Sequence, residues 1–339
     1  MNRRSLPFAV LVVILLFALP VVLSNYGLRL TTEIFIMSIF VLSLGFIIGF
    51  AGLVSLGHAA FFGLGAYLVA LLAKYVTANT YLTILTAVAA AALLAFVTGA
   101  LFIKTTGAYF LMITMAFSQV LYAVFYQWKK TGGADGMSVA ATLDLGFGPI
   151  RGSYPMYYFM LVCFLLCYFL LHRYIHSPAG RATIGVKENE DRMRALGYKT
   201  RRYKLIAYTI SGAMAGFAGA LYACFNRFVS PDTLAWHFSG EVLIMAIIGG
   251  SAFLYGPPIG AAIFVILQNY ISTYTERWPI IMGALFIAFV LANVGGVANV
   301  LAGLSRRLAR SVSRGEKAEE AADIPKAAPS GRLGEGTGK

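Results

Sequence analysis

Ten apolar runs dominate the chain, at residues 6–23, 33–51, 58–73, 81–103, 107–126, 154–172, 204–225, 238–250, 252–270 and 279–301. Most approach the roughly 20 residues that an α-helix needs to cross the hydrocarbon core of a bilayer. The pattern predicts an all-α, polytopic membrane protein of about ten membrane segments, with eight or nine as the alternative. Two runs, 58–73 and 238–250, are short and punctuated by glycine, and whether they cross fully is left open by their length. The first run follows Arg3 and Arg4 without an A-x-A-like cleavage site after it, which predicts a retained first helix rather than a signal peptide.

Charge supports this reading. Only 12% of the 339 residues are charged, about half the supply of an ordinary soluble domain at roughly 25%. The net charge of +13 is concentrated between and after the apolar runs. Residues 173–204 hold nine Lys/Arg against three acids, Glu188, Glu190 and Asp191, and the stretch from Ser305 onward holds eight against five. With ten crossings and both termini in the cytoplasm, 20 basic residues fall inside. Seven fall outside: Arg29, Lys74, Lys129, Lys130, Arg151, Arg227 and Arg277. That split obeys the positive-inside rule and makes membrane topology a better account of the basic charge than nucleic acid, for which no motif is present. The sequence thus divides into a transmembrane region, 1–305, and a Gly/Ala/Glu/Lys/Pro-rich segment, 306–339, expected to be a disordered cytoplasmic tail.

Catalytic chemistry is poorly provided for. The four histidines, His58, His172, His176 and His237, form no H-E-x-x-H pattern, and no G-x-S-x-G elbow occurs. Cys163, Cys167 and Cys224 lie inside apolar runs without metal-ligand spacing. The closing Gly334-Glu-Gly-Thr-Gly338-Lys339 imitates a phosphate loop, but Leu333 precedes it and no Ser/Thr follows the lysine. The chain is therefore read as no enzyme, with no metal and no cofactor of its own.

Polar interruptions of the apolar runs are more telling, since an ionisable group there is costly, by roughly 2.5–3.5 kcal/mol on insertion scales. His58 follows a glycine break that includes Gly49, Gly52 and Gly57. It lines a transport route or packs within a tight turn. Glu241 is a gate residue or a carboxylate in the first turn of its helix, where the dipole favours it, and Glu33 carries the second of these readings. Gly249 and Gly250 open a second break that runs to Gly260. Paired discontinuities of this kind often mark a transporter's binding region. Gly212-x-x-x-Gly216 reads as a seam for close helix packing. In the 173–204 loop, Ser177-Pro178 opens a helix-like spacing that ends at Gly197, which predicts a short amphipathic helix beneath the membrane. It binds anionic lipid or, as its mixed charges favour, another protein.

The motifs now fall into an order. Gly52-Leu-Val-Ser-Leu-Gly-His-Ala-Ala-Phe-Phe-Gly-Leu-Gly-Ala-Tyr67, Thr131-Gly-Gly-Ala-Asp-Gly136, Ser177-Pro-Ala-Gly-Arg181, Glu188-Asn-Glu-Asp191 with Ala195-Leu-Gly197, Arg202-Tyr-Lys-Leu205, Ser211-Gly-Ala-Met-Ala-Gly-Phe-Ala-Gly-Ala-Leu-Tyr222 and Ser239-Gly-Glu-Val242 leading to Gly249-Gly250 run across about residues 33–296. The set resembles the LivM-type permeases of branched-chain amino-acid ABC importers. It departs from them at Asn293-Val-Gly-Gly-Val297, where related chains often carry Pro-Gly-Gly-Leu.

The resemblance implies an ABC importer permease fold and a path for branched-chain amino acids or related small amino acids and amides. It implies a LivH-type second permease, two ATP-binding subunits that bind ATP and Mg, and a periplasmic binding protein. Arg181, Glu188, Glu190 and Gly197 would belong to the coupling loop on an ATP-binding subunit. Gly52, Gly57, His58, Glu241, Gly249 and Gly250 would belong to the path or its gate. Location in the bacterial inner membrane follows from the same likeness. The rival is a stand-alone secondary transporter or channel for a small polar solute. It would be expected to carry coupling acids in mid-membrane, for which Glu241 is the only candidate.

Overall fold

The computed structural model describes residues 6–76, 79–139, 152–291 and 296–298. The segment 306–339, read above as a tail, lies outside them. Twelve α-helices occur among the described residues: α1 (Leu6–Ala18), α2 (Asn25–Phe46), α3 (His58–Tyr75), α4 (Thr80–Phe102), α5 (Ala108–Gln127), α6 (Ser153–His176), α7 (Pro178–Glu188), α8 (Glu190–Ala195), α9 (Thr200–Asn226), α10 (Trp236–Gly249), α11 (Gly256–Tyr274) and α12 (Trp278–Leu291). Each apolar run of the sequence coincides with one of these helices, and the remaining two, α7 and α8, occupy the basic loop. Two short strands, β1 (Met137–Ser138) and β2 (Phe228–Val229), pair antiparallel.

Six described helices are long and apolar enough to cross a membrane: α2 with its extension to Ala51, α3, α4, α5, α6 and α9. The run at 58–73 is one of them, because its helix continues to Tyr75 and reaches 18 residues. Helices α10 and α12 have 14 residues each, about 21 Å at 1.5 Å per residue. Polar side chains set the starts. Ser24 accepts from Gly27 N–H at α2, and Ser177 accepts from Gly180 N–H at α7, where Pro178 takes the first position. Asn189 accepts from Arg192 N–H at α8. These are the residue types that supply an orphan helix N–H with a partner.

Helix α2 is the axis of the bundle: 78% of its apolar window is buried, against 22% for α5. The sequence permits this because α2 alternates bulk and smallness. Phe40 stacks on Phe62 of α3 at 4.4 Å between ring centroids. At Gly45, by contrast, an added Cβ would come 2.5 Å from Pro257 of α11. The outer helices turn Leu85, Leu93, Phe96 and Val120 outwards, as a lipid or partner face requires.

The Gly212/Gly216 seam is real. A Cβ on Gly212 would lie 2.3 Å from Ala95 Cβ and one on Gly216 2.2 Å from Ala91 Cβ, so α9 and α4 meet where both have almost no side chain. On its other side α9 meets α3, where a Cβ on Gly219 would strike the Phe62 carbonyl at 1.8 Å. Close approach of this kind replaces the hydrophobic effect as the source of helix association in lipid. At the start of the chain, α1 is held to α6 by Tyr157 Oη, which donates to the Leu16 carbonyl at 2.7 Å.

Candidate functional site

The break after α2 begins as a widening of the helix. Residues Ile47–Ala51 form a π-turn, a feature often associated with functional sites inside helices. Gly52 then takes φ +71° and Leu53 N–H reaches back to the Ile47 carbonyl at 3.0 Å. Residues 53–57 continue without helix to His58, where α3 starts.

In this unwound stretch Leu53, Ser55 and Gly57 are buried while Gly52 and Val54 are exposed, and side-chain hydroxyls partner several amides in it and just after it. Leu56 N–H donates to Thr114 Oγ1 of α5 at 3.2 Å and Gly57 N–H to Ser55 Oγ at 3.1 Å. Ala59 N–H, in the first turn of α3, donates to Ser239 Oγ of α10 at 2.8 Å. His58 Nε2 lies 2.7 Å from Ser211 Oγ of α9, and that hydroxyl donates to the Ser43 carbonyl of α2 at 2.5 Å. With its proton committed to Ser43, the Ser211 hydroxyl accepts from the histidine, which puts the ring proton on Nε2. Nδ1 is left buried without a partner. His58 is wholly buried, with edge-on contacts to Phe61 and Tyr208, so in this conformation it faces helices and no open route.

The second break is of another kind. Gly250 ends α10 at φ +90°, and α11 begins six residues later at Gly256. The two helices close on each other through glycine: a Cβ on Gly260 would stand 1.9 Å from the Met245 carbonyl, and one on Gly249 2.1 Å from that of Gly256. Gly296, within the stretch that departs from the family pattern, approaches Gly250, with an added Cβ 2.3 Å from the Gly250 Cα.

The breaks meet each other and the basic loop. A Cβ on Gly49, in the π-turn, would lie 1.9 Å from the Ser251 carbonyl, between α10 and α11. From the other side comes α7: Lys187 Nζ donates to the Gly49 carbonyl at 2.5 Å, and an added Cβ on Gly52 would lie 2.9 Å from Lys187 Cγ. A π-turn at a helix end leaves carbonyls without an intrahelical donor, and the Lys187 ammonium supplies one. Lys187 was not singled out in the sequence. The signal available was its place one helical turn beyond Thr183, on a helix that begins at Ser177-Pro178.

The basic loop itself is two helices, where the sequence suggested one. Arg181 and Glu188 are exposed on α7. Gly180 lets α7 fold back across the end of α6, where a Cβ would meet the Tyr174 carbonyl at 2.1 Å. Glu190, at the start of α8, is tied inwards. Its carboxylate accepts from Lys204 Nζ at 2.6 Å and Thr200 Oγ1 at 3.0 Å, both in α9, and from Arg194 at 3.3 Å. Partial burial pulls the Glu190 pKa upwards, but the hydrogen bonds from Lys204 and Thr200 and the charges of Lys204 and Arg194 outweigh it and hold the carboxyl below its ordinary value. Gly197, at φ +84°, ends α8 with nothing within 4 Å of an added Cβ.

Two acids sit elsewhere than expected. Glu241 is the sixth residue of α10 and Glu33 the ninth of α2, because both helices start earlier than their apolar runs. Neither lies in a first turn where the dipole would favour it. Both are half-buried. Among the described residues no cluster of three or more His, Cys, Asp or Glu could hold a metal. The hydroxyls that hold the first break, Ser55, Thr114, Ser211 and Ser239, escaped sequence reading because single Ser and Thr are common in apolar helices. Ser211 and Ser239 each open one of the ordered motifs, the one clue available.

The sequence model of the family described as "Branched-chain amino acid transport system / permease component" matches residues 26–290. The chain is 27% identical over 314 residues to the high-affinity branched-chain amino acid transport system permease protein LivM of Escherichia coli K12, covering 86% of this chain and 74% of that one. It is 26% identical over the same shares to the LivM protein of Salmonella typhimurium. A shorter likeness, 28% over 149 residues, links 42% of the chain to 44% of a probable LivH permease of Methanocaldococcus jannaschii. No solved structure matches. The family match spans the π-turn, both breaks and the loop that braces them, and the chain belongs to the branched-chain amino-acid transport permease family, as a multi-pass inner-membrane protein that is not itself catalytic.

Proposed function

We propose that this chain is the LivM-type permease subunit of an ABC importer and forms part of the translocation path for branched-chain amino acids or related small amino acids and amides. In this reading a periplasmic binding protein delivers the solute, a LivH-type permease supplies the other half of the path, and two ATP-binding subunits provide the energy with ATP and Mg. The chain crosses the inner membrane about ten times with both termini in the cytoplasm. Residues 1–305 form the permease, 306–339 a cytoplasmic tail, and the 173–204 loop docks on an ATP-binding subunit.

One observation carries the proposal: α7 bears directly on the first break, through Lys187 on the Gly49 carbonyl and its stem against Gly52. A displacement of α7 therefore reaches the unwound segment without any intervening side chain. That segment begins at Gly52 and ends at Gly57 and His58, and Gly49 abuts the turn that follows Gly249 and Gly250. The first break acts as the moving part of the gate, driven by α7, and the closely packed second break is what it moves against. The polar groups freed by unwinding have partners on α5, α9 and α10, so a shift of those helices exchanges hydrogen bonds instead of leaving groups bare in lipid.

The test is uptake of radiolabelled leucine into vesicles holding the assembled complex, with binding protein outside and ATP inside. Uptake that needs all components, and that isoleucine and valine inhibit by competition, is the expected result. Uphill uptake by this chain alone, driven by an ion gradient, would overturn it. A cysteine placed at Asn189 is expected to resist a membrane-impermeant thiol reagent in intact cells, and labelling from the periplasm would remove the docking assignment.

A further inference from the structure

The motif Thr131-Gly-Gly-Ala-Asp-Gly136 plays no part in the gate, and its geometry is that of a rigid mount. Thr131 is wholly buried, and its hydroxyl donates to the carbonyls of Phe125 and Trp128 at the end of α5, at 3.0 and 2.6 Å. Gly132 at φ +82° is packed so closely that a Cβ would meet the Gly136 carbonyl at 1.7 Å. Gly136 at φ +71° abuts the Val229 carbonyl, and the chain leaves it as β1, paired with β2. Side chains are excluded at these two glycines by contact as well as by backbone conformation.

What this mount presents is positive charge. Lys129 and Lys130 precede the motif and Lys74 comes from the last turn of α3. Together with Gly132, Gly136 and Ser138 they line a recess of about 380 Å³. All three lysines are exposed. Lys74 has a bland role as well, at a helix C-terminus where the dipole favours a cation and over the Tyr75 ring at 5.3 Å. Lys129 and Lys130, just past the C-terminal end of α5, share the dipole argument and also line the recess. Among the described residues every ion pair belongs to the Glu190/Asp191 group. Asp135, exposed on the same turn, pairs with none of the three lysines. The recess lies at the far end of the molecule from α7 and α8: α9 starts beside Glu190 and ends at β2, 27 residues later, about 40 Å at 1.5 Å per residue.

We infer that this lysine recess is the surface on which carboxylates of the periplasmic binding protein dock, an assignment that rests on the importer reading above. Three cations that line one recess, with no ion pair to them among the described residues, repel one another, and an acidic patch on a protein of the outer compartment relieves that repulsion. The rigid glycine mount holds the charges at fixed spacing, so the encounter does not have to order them first. Charges arranged in this way act mainly on the rate of encounter and on its salt dependence.

The experiment measures association of the purified, leucine-loaded binding protein with the complete complex in nanodiscs of phosphatidylcholine alone. Wild type is expected to associate at least tenfold more slowly when salt rises from about 50 mM to about 500 mM, where screening shortens to a few ångströms. The triple variant Lys74→Glu/Lys129→Glu/Lys130→Glu should lose at least tenfold in association rate at low salt and most of its salt dependence. The corresponding triple Gln variant should fall between. Co-purification of each variant with the ATP-binding subunits serves as the control for folding. A triple Glu variant that associates like wild type, with the same salt response, overturns the assignment and leaves the importer reading intact. Association of wild type that requires anionic lipid in the nanodisc also overturns it, since the recess would then hold a headgroup. Failure of wild type to bind the protein under any condition would instead count against the importer reading itself.

Discussion

The two glycine breaks look alike in sequence and are opposites in construction. The one at Gly49–Gly57 unwinds the chain at a partly buried position and holds it there by amide hydrogen bonds to the Thr114 and Ser239 hydroxyls and by the His58–Ser211–Ser43 chain. The one at Gly249–Gly260 holds a turn of similar length that is closed by backbone alone, Gly256 N–H donating to the Phe253 carbonyl at 3.0 Å, and its glycines let α10 and α11 touch backbone to backbone. Glycine at a break therefore has two distinct uses in lipid. Where it lets the helix open, neighbouring hydroxyls must follow, because a bare amide there is expensive. Where it lets helices close, no polar partner is called for, and the contact is dispersion and weak backbone interactions over a short distance. The first kind can exchange partners and move; the second resists change.

The sharpest way to break that comparison is to fill the second break. Gly260→Val would drive two methyl groups into the Met245 carbonyl, which already lies 1.9 Å from an ideal Cβ. Because backbone has to yield, we expect a loss of more than about 3 kcal/mol, read as the disappearance of monodisperse protein after detergent extraction. Gly283→Ala is the matching control. Nothing lies within 4 Å of its Cβ on α12, and the change should be neutral or stabilising by up to about 1 kcal/mol through helix propensity. Equal loss in both variants would mean that the crowding at Gly260 is not a real constraint.

At the first break the prediction concerns polar partners. Ser211→Ala removes both the acceptor for His58 Nε2–H and the donor to Ser43. Stranding buried groups in this way costs about 1–3 kcal/mol, a drop in melting temperature of a few degrees. Pairing it with His58→Phe should return part of the loss, since the stranded ring N–H goes too. A double variant as unstable as the sum of the two singles would show that the two side chains do not act together.

A smaller effect on stability and a larger one on function are expected at Lys187. Lys187→Met keeps the stem against Gly52 and deletes the ammonium that caps Gly49. An exposed hydrogen bond of this kind contributes about 1 kcal/mol or less, so the fold should survive. If α7 moves the break through that bond, the number of solute molecules imported per ATP hydrolysed falls severalfold while hydrolysis continues. An unchanged ratio in reconstituted vesicles would leave Lys187 as a packing residue only.

Much of this architecture was legible in advance because membrane helices advertise themselves: every apolar run became a helix, and Gly212 and Gly216 did mark a packing seam. The starts of helices were less legible. The first-turn reading of Glu33 and Glu241 fails because their helices start at Asn25 and Trp236, within stretches where polar and aromatic residues break up or replace the aliphatic run, and apolarity does not mark such starts. The distinction between the two breaks was not legible at all. It depends on which hydroxyls arrive from helices more than 50 residues away, as Thr114, Ser211 and Ser239 do. The contact of Lys187 with Gly49 is of the same non-local kind, hidden among nine basic residues that topology alone accounts for.

The basic loop offers the finest test, because the acids on it that looked equivalent in sequence are not. Glu188 is exposed, whereas Glu190 fastens α8 to the start of α9 through Lys204 and Thr200. Since the folded state holds the Glu190 carboxyl below its ordinary value, it contributes stability that is fully present above the unfolded-state pKa and lost as pH falls through the lower folded one. Amide exchange in α8 should accordingly quicken, relative to the intrinsic rate, as the solution is acidified below the usual carboxylate range. Glu190→Gln should show the faster exchange already at neutral pH, and Glu188→Gln should show neither effect. The consequence for the comparison is direct, because α8 follows α7 through the single residue Asn189 and a loosened α8 gives α7 a softer footing beneath the first break. Glu190→Gln is therefore expected to lower the import-to-hydrolysis ratio in the same sense as Lys187→Met, by a smaller factor. Docking on the ATP-binding subunit should respond instead to Glu188→Lys, with α8 exchange unchanged. A Glu190→Gln variant with ordinary exchange in α8 would detach the latch from the gate and leave the two breaks distinguished by their own partners alone.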